Sequence, residues 1–393
     1  MEIIDKKETF WNRGFIVGLF GYFFLYLSVT LFYFFPLFLK QFNASRSRVG
    51  LIMGIHSFMA ILIRPFFGRL MDVKGRRKIS LFGTGLLIVI LPWFHLIRDA
   101  GFLPFVLRAL TGIGAGISLS ATLTICSDLA PRDKLAHSLG IVGVAGLTAS
   151  ALGPLLGEEI VNRFGFGGLF SASTAFLVAS FFSIILTREV LRLDNAKQFP
   201  RPKSLRNVSL FIILIISSMP IFHGAVRSTI DYFIVLFGKS IPIDRVGPFF
   251  LAFSIAAILT RLGIGDLSDR YGRKQVIFPA ALIISLNMFL ISLVKNFWMF
   301  VLTGFIGGFG QGLIFPALST YVIDIFGEEN KGLALSLYLS LFDVGMGMGS
   351  PFFGWISDLF AYRKMYLFAG IIFFVISTLF TLKAPSPKLR KGN

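Results

Sequence analysis

Five ionisable side chains stand inside long apolar runs of this 393-residue chain, where a charge is costly to keep and marks a functional candidate. Asp343 lies within FDVGMGMGSP. A carboxylate there can load and release a proton, or it can bond a neighbouring helix that Gly345, Gly347 and Gly349 allow to come close. Arg108 opens RALTGIGAG, and a cation in that setting can hold an anionic group or take part in proton coupling. His223, Arg227 and Asp231 recur every four residues, so on a helix they form one stripe rising about 12 Å. Asp231 is the rival to Asp343 for proton coupling, although Arg227 one turn away should hold it ionised; the two could instead pair at the outer headgroups. Tyr22, Tyr26, Thr30 and Tyr33 keep to one helical face, and their hydroxyls need partners. With Gln311 they outline an amphipathic pocket in which cations outnumber acids, which favours a small anionic or zwitterionic organic ligand. Glu158 and Glu159 are expected to reach water.

Other chemistries lack their residues. There is no H-E-x-x-H, no G-x-S-x-G and no P-loop lysine motif, so no enzyme is expected. GIGAGIS only superficially resembles a dinucleotide loop and has no preceding strand. One cysteine, Cys126, excludes an internal disulfide and a multi-cysteine metal site, and no cofactor is expected.

The elements that carry these residues are membrane spans. With 55% hydrophobic residues, 47 Phe and only 15% charged residues, a soluble fold could not cover itself with polar surface. Twelve stretches are long enough to cross a bilayer. They cover about 14–38, 47–67, 79–97, 102–126, 135–160 and 166–187 (spans 1 to 6), then 208–236, 246–267, 275–294, 297–322, 332–357 and 364–382 (spans 7 to 12). The first is too long for a signal-peptide core and should remain as a helix. The fold class expected is an all-α membrane protein of twelve transmembrane helices in two pseudo-symmetric six-helix bundles. Residues 1–187 form the first bundle, 188–207 a basic cytoplasmic linker, and 208–393 the second bundle with a short basic tail. Lys and Arg concentrate in the loops on the side holding both termini, which places the termini in the cytoplasm of a bacterial or archaeal plasma membrane. The net charge of +18 therefore faces lipid headgroups and not nucleic acid. A monomer is the expected unit.

A ten-residue string occurs twice between spans. GRLMDVKGRR begins at Gly68 and GDLSDRYGRK at Gly265, an offset of 197 residues. The same offset pairs Arg64 with Arg261, Arg48-Val49-Gly50 with Arg245-Val246-Gly247, and Gly153-Pro154 with Ser350-Pro351. The chain is thus two copies of one half-protein. The loop string resembles the signature of the major facilitator superfamily, G-x-L-x-D-R-x-G-R-R/K, and the resemblance covers nearly the whole chain. The second copy matches through Gly265, Leu267, Asp269, Arg270, Gly272, Arg273 and Lys274; the first, with Gly68, Asp72, Gly75, Arg76 and Arg77, departs at Val73. Gly75 supplies the tight turn, and Gly68 is expected to let span 2 approach a neighbour closely.

The resemblance implies gating loops in which Asp128 and Asp324 are the acidic partners of Arg76 and Arg273, unless these cations only snorkel. It implies that spans 1, 4, 7 and 10 line a central cavity. It identifies RALTGIGAG with the family's span-4 motif, which has no second arginine because Gly304 falls at the matching place. Gly140, Gly153, Pro154 and Gly157 are similar to the family's antiporter motif in span 5, with Ala149 and Glu158 in place of two glycines. The expectation is a proton-coupled exporter of small organic molecules working by alternating access. The alternatives are a proton symporter for uptake and a transporter-like sensor without turnover. Arg64 and Arg261 are placed near the cytoplasmic surface.

Overall fold

The computed structural model describes residues 11–129, 135–189, 210–264, 267–327 and 331–385. Nearly all of them are helical. Span 1 runs Arg13–Leu31, tightens to a 3-10 turn at Phe32–Phe34, and resumes over Phe35–Lys40. Pro36 lies in the first turn of that last piece, and its missing N–H removes an α-helical bond where the tightening occurs. Span 2 is Arg46–Lys74, span 4 is Phe102–Leu129, span 7 is Leu210–Lys239, span 8 is Gly247–Ile264, span 9 is Arg273–Leu293 and span 10 is Phe297–Phe326. Span 3 covers Arg76–Leu96.

Ten helices among the described residues are long and apolar enough to cross a membrane, and two of these have double length. Leu135–Leu186 holds spans 5 and 6, and Lys331–Lys383 holds spans 11 and 12. Each breaks at a single residue of positive φ, Gly165 (65°) in the first and Ala361 (65°) in the second. The two breaks turn ten helices into twelve crossings, six per half. The 188–207 linker lies almost wholly outside the described residues.

The glycine strings of spans 4 and 10 are packing devices. Gly112 and Gly116 sit against the main chain of span 2 at His56 and Ala60, while Gly114 faces span 3 at Gly83 and Leu87. In the second half Gly308 and Gly312 meet span 8 at Phe253 and Ala257, and Gly310 meets span 9 at Ala280 and Ile284. Alternate glycines thus let one helix approach two neighbours at backbone distance. Span 7 lies as closely on span 11, through Gly224 against Phe342 and Gly349 against Ala225. Gly75 and Gly272 adopt φ of 94° and 101°, a left-handed turn that only glycine takes without cost.

Candidate functional site

The span-7 stripe lies inside the protein. Arg227 donates from Nε to Asp231 Oδ1 at 2.8 Å, and its guanidinium carbon stands 4.6 Å from the centroid of Phe253. The Tyr33 hydroxyl of span 1 lies beside Asp231. The alternative of an ion pair at outer headgroups is therefore corrected: the side chains are only 12% and 8% exposed, inside the protein. His223 takes a different partner, with Nε2 2.8 Å from Gln311 Oε1 and its ring against Phe342. Beside it is a cavity of ≈ 10 Å³, enough for about one water. Asn287 of span 9 borders this cavity fully buried, and neither its amide nitrogen nor its oxygen has a partner. Sequence reasoning missed Asn287; the signal was a lone amide inside LIISLNMFL.

Arg108 is 4% exposed, with its guanidinium carbon 5.5 Å from the Phe32 ring and 6.0 Å from Phe35. Its Nε has no hydrogen-bond partner, and no carboxylate pairs with it among the described residues. Tyr22 and Tyr26 stack at 5.8 Å, and Tyr26 lies beside Ser150 of span 5. Tyr33 turns away from them, onto Asp231 and the ring of Phe250. The span-1 stripe is one face serving two environments.

Asp343 forms an ion pair with Arg64. Arg64, expected near the cytoplasmic surface either snorkelling or in a charge network, reaches from span 2 to span 11 of the other half. Arg64 and Asp343 are 26% and 16% exposed, so water reaches the pair from one side.

The contacts between halves sort by depth. On the side away from the termini, Glu158 at the end of span 5 accepts from the backbone N–H of Val246 and Gly247 at 2.9 and 2.8 Å and from Lys239 Nζ at 3.2 Å. Its side chain is 7% exposed, which corrects the reading that it reaches water; Glu159 is exposed and pairs with Arg163. Asp358 at the end of span 11 accepts from the backbone N–H groups of Arg46 and Ser47, each at 2.8 Å. Both carboxylates cap the first turn of a helix in the opposite half, where unpaired N–H groups and the helix dipole favour negative charge. On the side of the termini the described ion pairs stay within one half, Arg76 with Asp128 and Arg273 with Asp324 at 2.7 Å. There a Cβ added at Gly68, Gly140 or Gly263 would meet nothing within 4 Å. Gly68 is thus not at a close helix approach, because the halves have separated at that depth. The side chains of Asp72 and Asp269, and Gly265, lie outside the described residues. Of the span-5 string, Gly153 packs on Thr30 and Gly157 on Phe34, while Pro154 lies within the helix.

Two helical bundles joined at one membrane face and parted at the other, around a polar interior, define a transporter built for alternating access. The chain belongs to the Major Facilitator Superfamily, which it matches over residues 18–244 and 221–393. It is 25% identical over 380 residues to the multidrug resistance protein MdtG of Citrobacter koseri, covering 93% of each chain, and 24% identical over 383 residues to MdtG of Escherichia coli. Among solved structures it is similar to the human organic anion transporter MFSD10, with a TM-score of 0.68 at 17% identity, covering 94% of this chain and 99% of that one. It is also similar to the nucleoside transporter NupG, with a TM-score of 0.76 at 12% identity, covering 93% and 98%.

Proposed function

We propose that this multi-pass membrane transporter expels small organic molecules in exchange for protons, as a monomer with both termini in the cytoplasm. The observation that carries export is the match to relatives named for multidrug resistance over 93% of both chains. The Arg64–Asp343 pair supports proton coupling, because it crosses the halves at the depth where they part. Protonating Asp343 removes the charge that Arg64 holds, so the bond between spans 2 and 11 weakens when the proton loads and reforms when it leaves. In the state described, the interior opens toward the termini. A ligand entering there meets Tyr22 and Tyr26 before the deeper Arg227–Asp231–Tyr33 cluster. Release on the far side requires the Glu158 and Asp358 caps to open. Asp72 and Asp269 would act in the converse state, closing the termini side.

The test is flux in proteoliposomes under an imposed pH gradient, across a panel of organic anions, zwitterions and cations. Substrate should move opposite to the proton. Movement in the same direction establishes the uptake symporter instead, and saturable binding without flux establishes a sensor.

A further inference from the structure

Arg64 and Arg261 occupy the same place in the two repeats, yet among the described residues only Arg64 has a carboxylate partner. The repeat offset of 197 carries Asp343, the partner of Arg64, onto Gly146. Arg261 therefore faces span 5 where the acid is missing. Its terminal nitrogen stands 3.2 Å from the point a Cβ on Gly143 would occupy. One turn along, a Cβ on Gly146 would make only ordinary contacts, at 3.5 Å to the Tyr22 ring and 3.7 Å to its hydroxyl. The far wall is Phe315, whose centroid lies 5.4 Å from the guanidinium carbon, and Tyr338, packed edge-on to Phe315.

Two polar groups here lack partners. Among the described residues, Arg261 Nε is buried with no hydrogen bond, and so is the hydroxyl of Tyr338, a side chain with no exposed area. Tyr338, Tyr26 and Tyr22 all lie within electrostatic range of Arg261. An uncompensated guanidinium and an unpaired phenol inside a membrane span are each costly. Arg227 and Arg64 have their carboxylates; Arg261 and Arg108 have none among the described residues. Arg108 is sealed against Phe32 and Phe35, whereas Arg261 is part-exposed beside the open stretch at Gly140 and Gly263.

We infer that Arg261, with the hydroxyls of Tyr338 and Tyr22, is the seat for the carboxylate of an amphipathic organic acid, with Phe315 against its apolar body. The ligand supplies the charge that Asp343 supplies in the other repeat. This rests on the transporter reading and names its substrate class.

Equilibrium dialysis of the purified protein in non-ionic detergent, with radiolabelled 2-naphthoate and its neutral amide 2-naphthamide, tests it. The acid should bind about tenfold or more tightly than the amide, the range of one charge-assisted bond. Arg261→Gln should erase that preference, and the surface control Arg163→Gln should keep it. Gly146→Asp should erase it with Arg261 still in place, because a tethered carboxylate fills the seat as Asp343 does beside Arg64. This second variant decides the matter if Arg261→Gln does not fold. Absence of the preference in the parent, or its survival in either seat variant, overturns the assignment. Dialysis measures neither direction nor coupling. Selective binding without proton-linked flux would overturn the exporter reading and leave the seat standing.

Discussion

Asp343 and Arg64 make a pair whose two possible roles separate on substitution. Asp343→Asn leaves a cation in the interior without its counter-ion, so stability should fall by about 2 kcal/mol, less than for a fully buried pair because water reaches Arg64. It should also remove pH-driven accumulation while leaving exchange down a substrate gradient. The double variant Arg64→Gln with Asp343→Asn should recover stability, read by thermal unfolding in detergent, without recovering accumulation. Recovery of both would make the aspartate structural. Asp343 stood out in the sequence as a carboxylate in an apolar run, but its partner did not. The two lie 279 residues apart, and the repeat made Arg64 look like scaffold because it has a twin. Glu158 was misread for a related reason: two of the donors it accepts from are backbone groups of another span, which leave no mark in residue type, and the third, Lys239, lies 81 residues away.

At the level of elements, the spans and the duplication were legible because apolar length and repeated glycine strings are local properties. How sharply the long helices break was not. The sequence allowed five or six residues between spans 5 and 6 and between spans 11 and 12, whereas the chain turns at Gly165 and Ala361 alone. Ala361 holds φ 65° and ψ 169°, a region nearly restricted to glycine, at a cost of about 1–3 kcal/mol. Ala361→Gly should therefore raise the unfolding free energy by about 1 kcal/mol, part of the relief being lost to the greater freedom of glycine in the unfolded chain. Gly165→Ala should lower it by a similar amount. Thermal unfolding in detergent measures both, and a loss of stability in Ala361→Gly would count against the strain. The alternate glycines of spans 4 and 10 were legible as a motif, but which neighbour each one faces depends on helix rotation, which the string does not encode.

For the whole molecule, the balance between its two open states depends on the contacts that join spans 2 and 11 and spans 5 and 8. The caps made by Glu158 and Asp358 join the halves on one face; a carboxylate at a helix N-terminus contributes up to about 2 kcal/mol when buried, as Glu158 is, and about 0.3–1 kcal/mol when exposed, as Asp358 is. Glu158→Gln and Asp358→Asn keep shape and remove charge, so the first should move the population toward the state open on that face by about tenfold and the second by about two- to fivefold. Distances between spin labels at the far ends of spans 5 and 8, and of spans 2 and 11, read the shift. Unchanged distributions would show the caps to be passive packing.

The donors in both caps have a further consequence for how this protein tolerates mutation. Val246, Gly247, Arg46 and Ser47 contribute peptide N–H groups, and a peptide N–H survives every replacement of its side chain except by proline. The N–H groups of Val246, Arg46 and Ser47 therefore persist through most replacements, whereas Gly247 is held by packing, since a Cβ there would stand 2.8 Å from the Leu155 side chain. The other side of each cap is a single carboxylate, so heritable variation in how readily this face opens should gather at positions 158, 247 and 358.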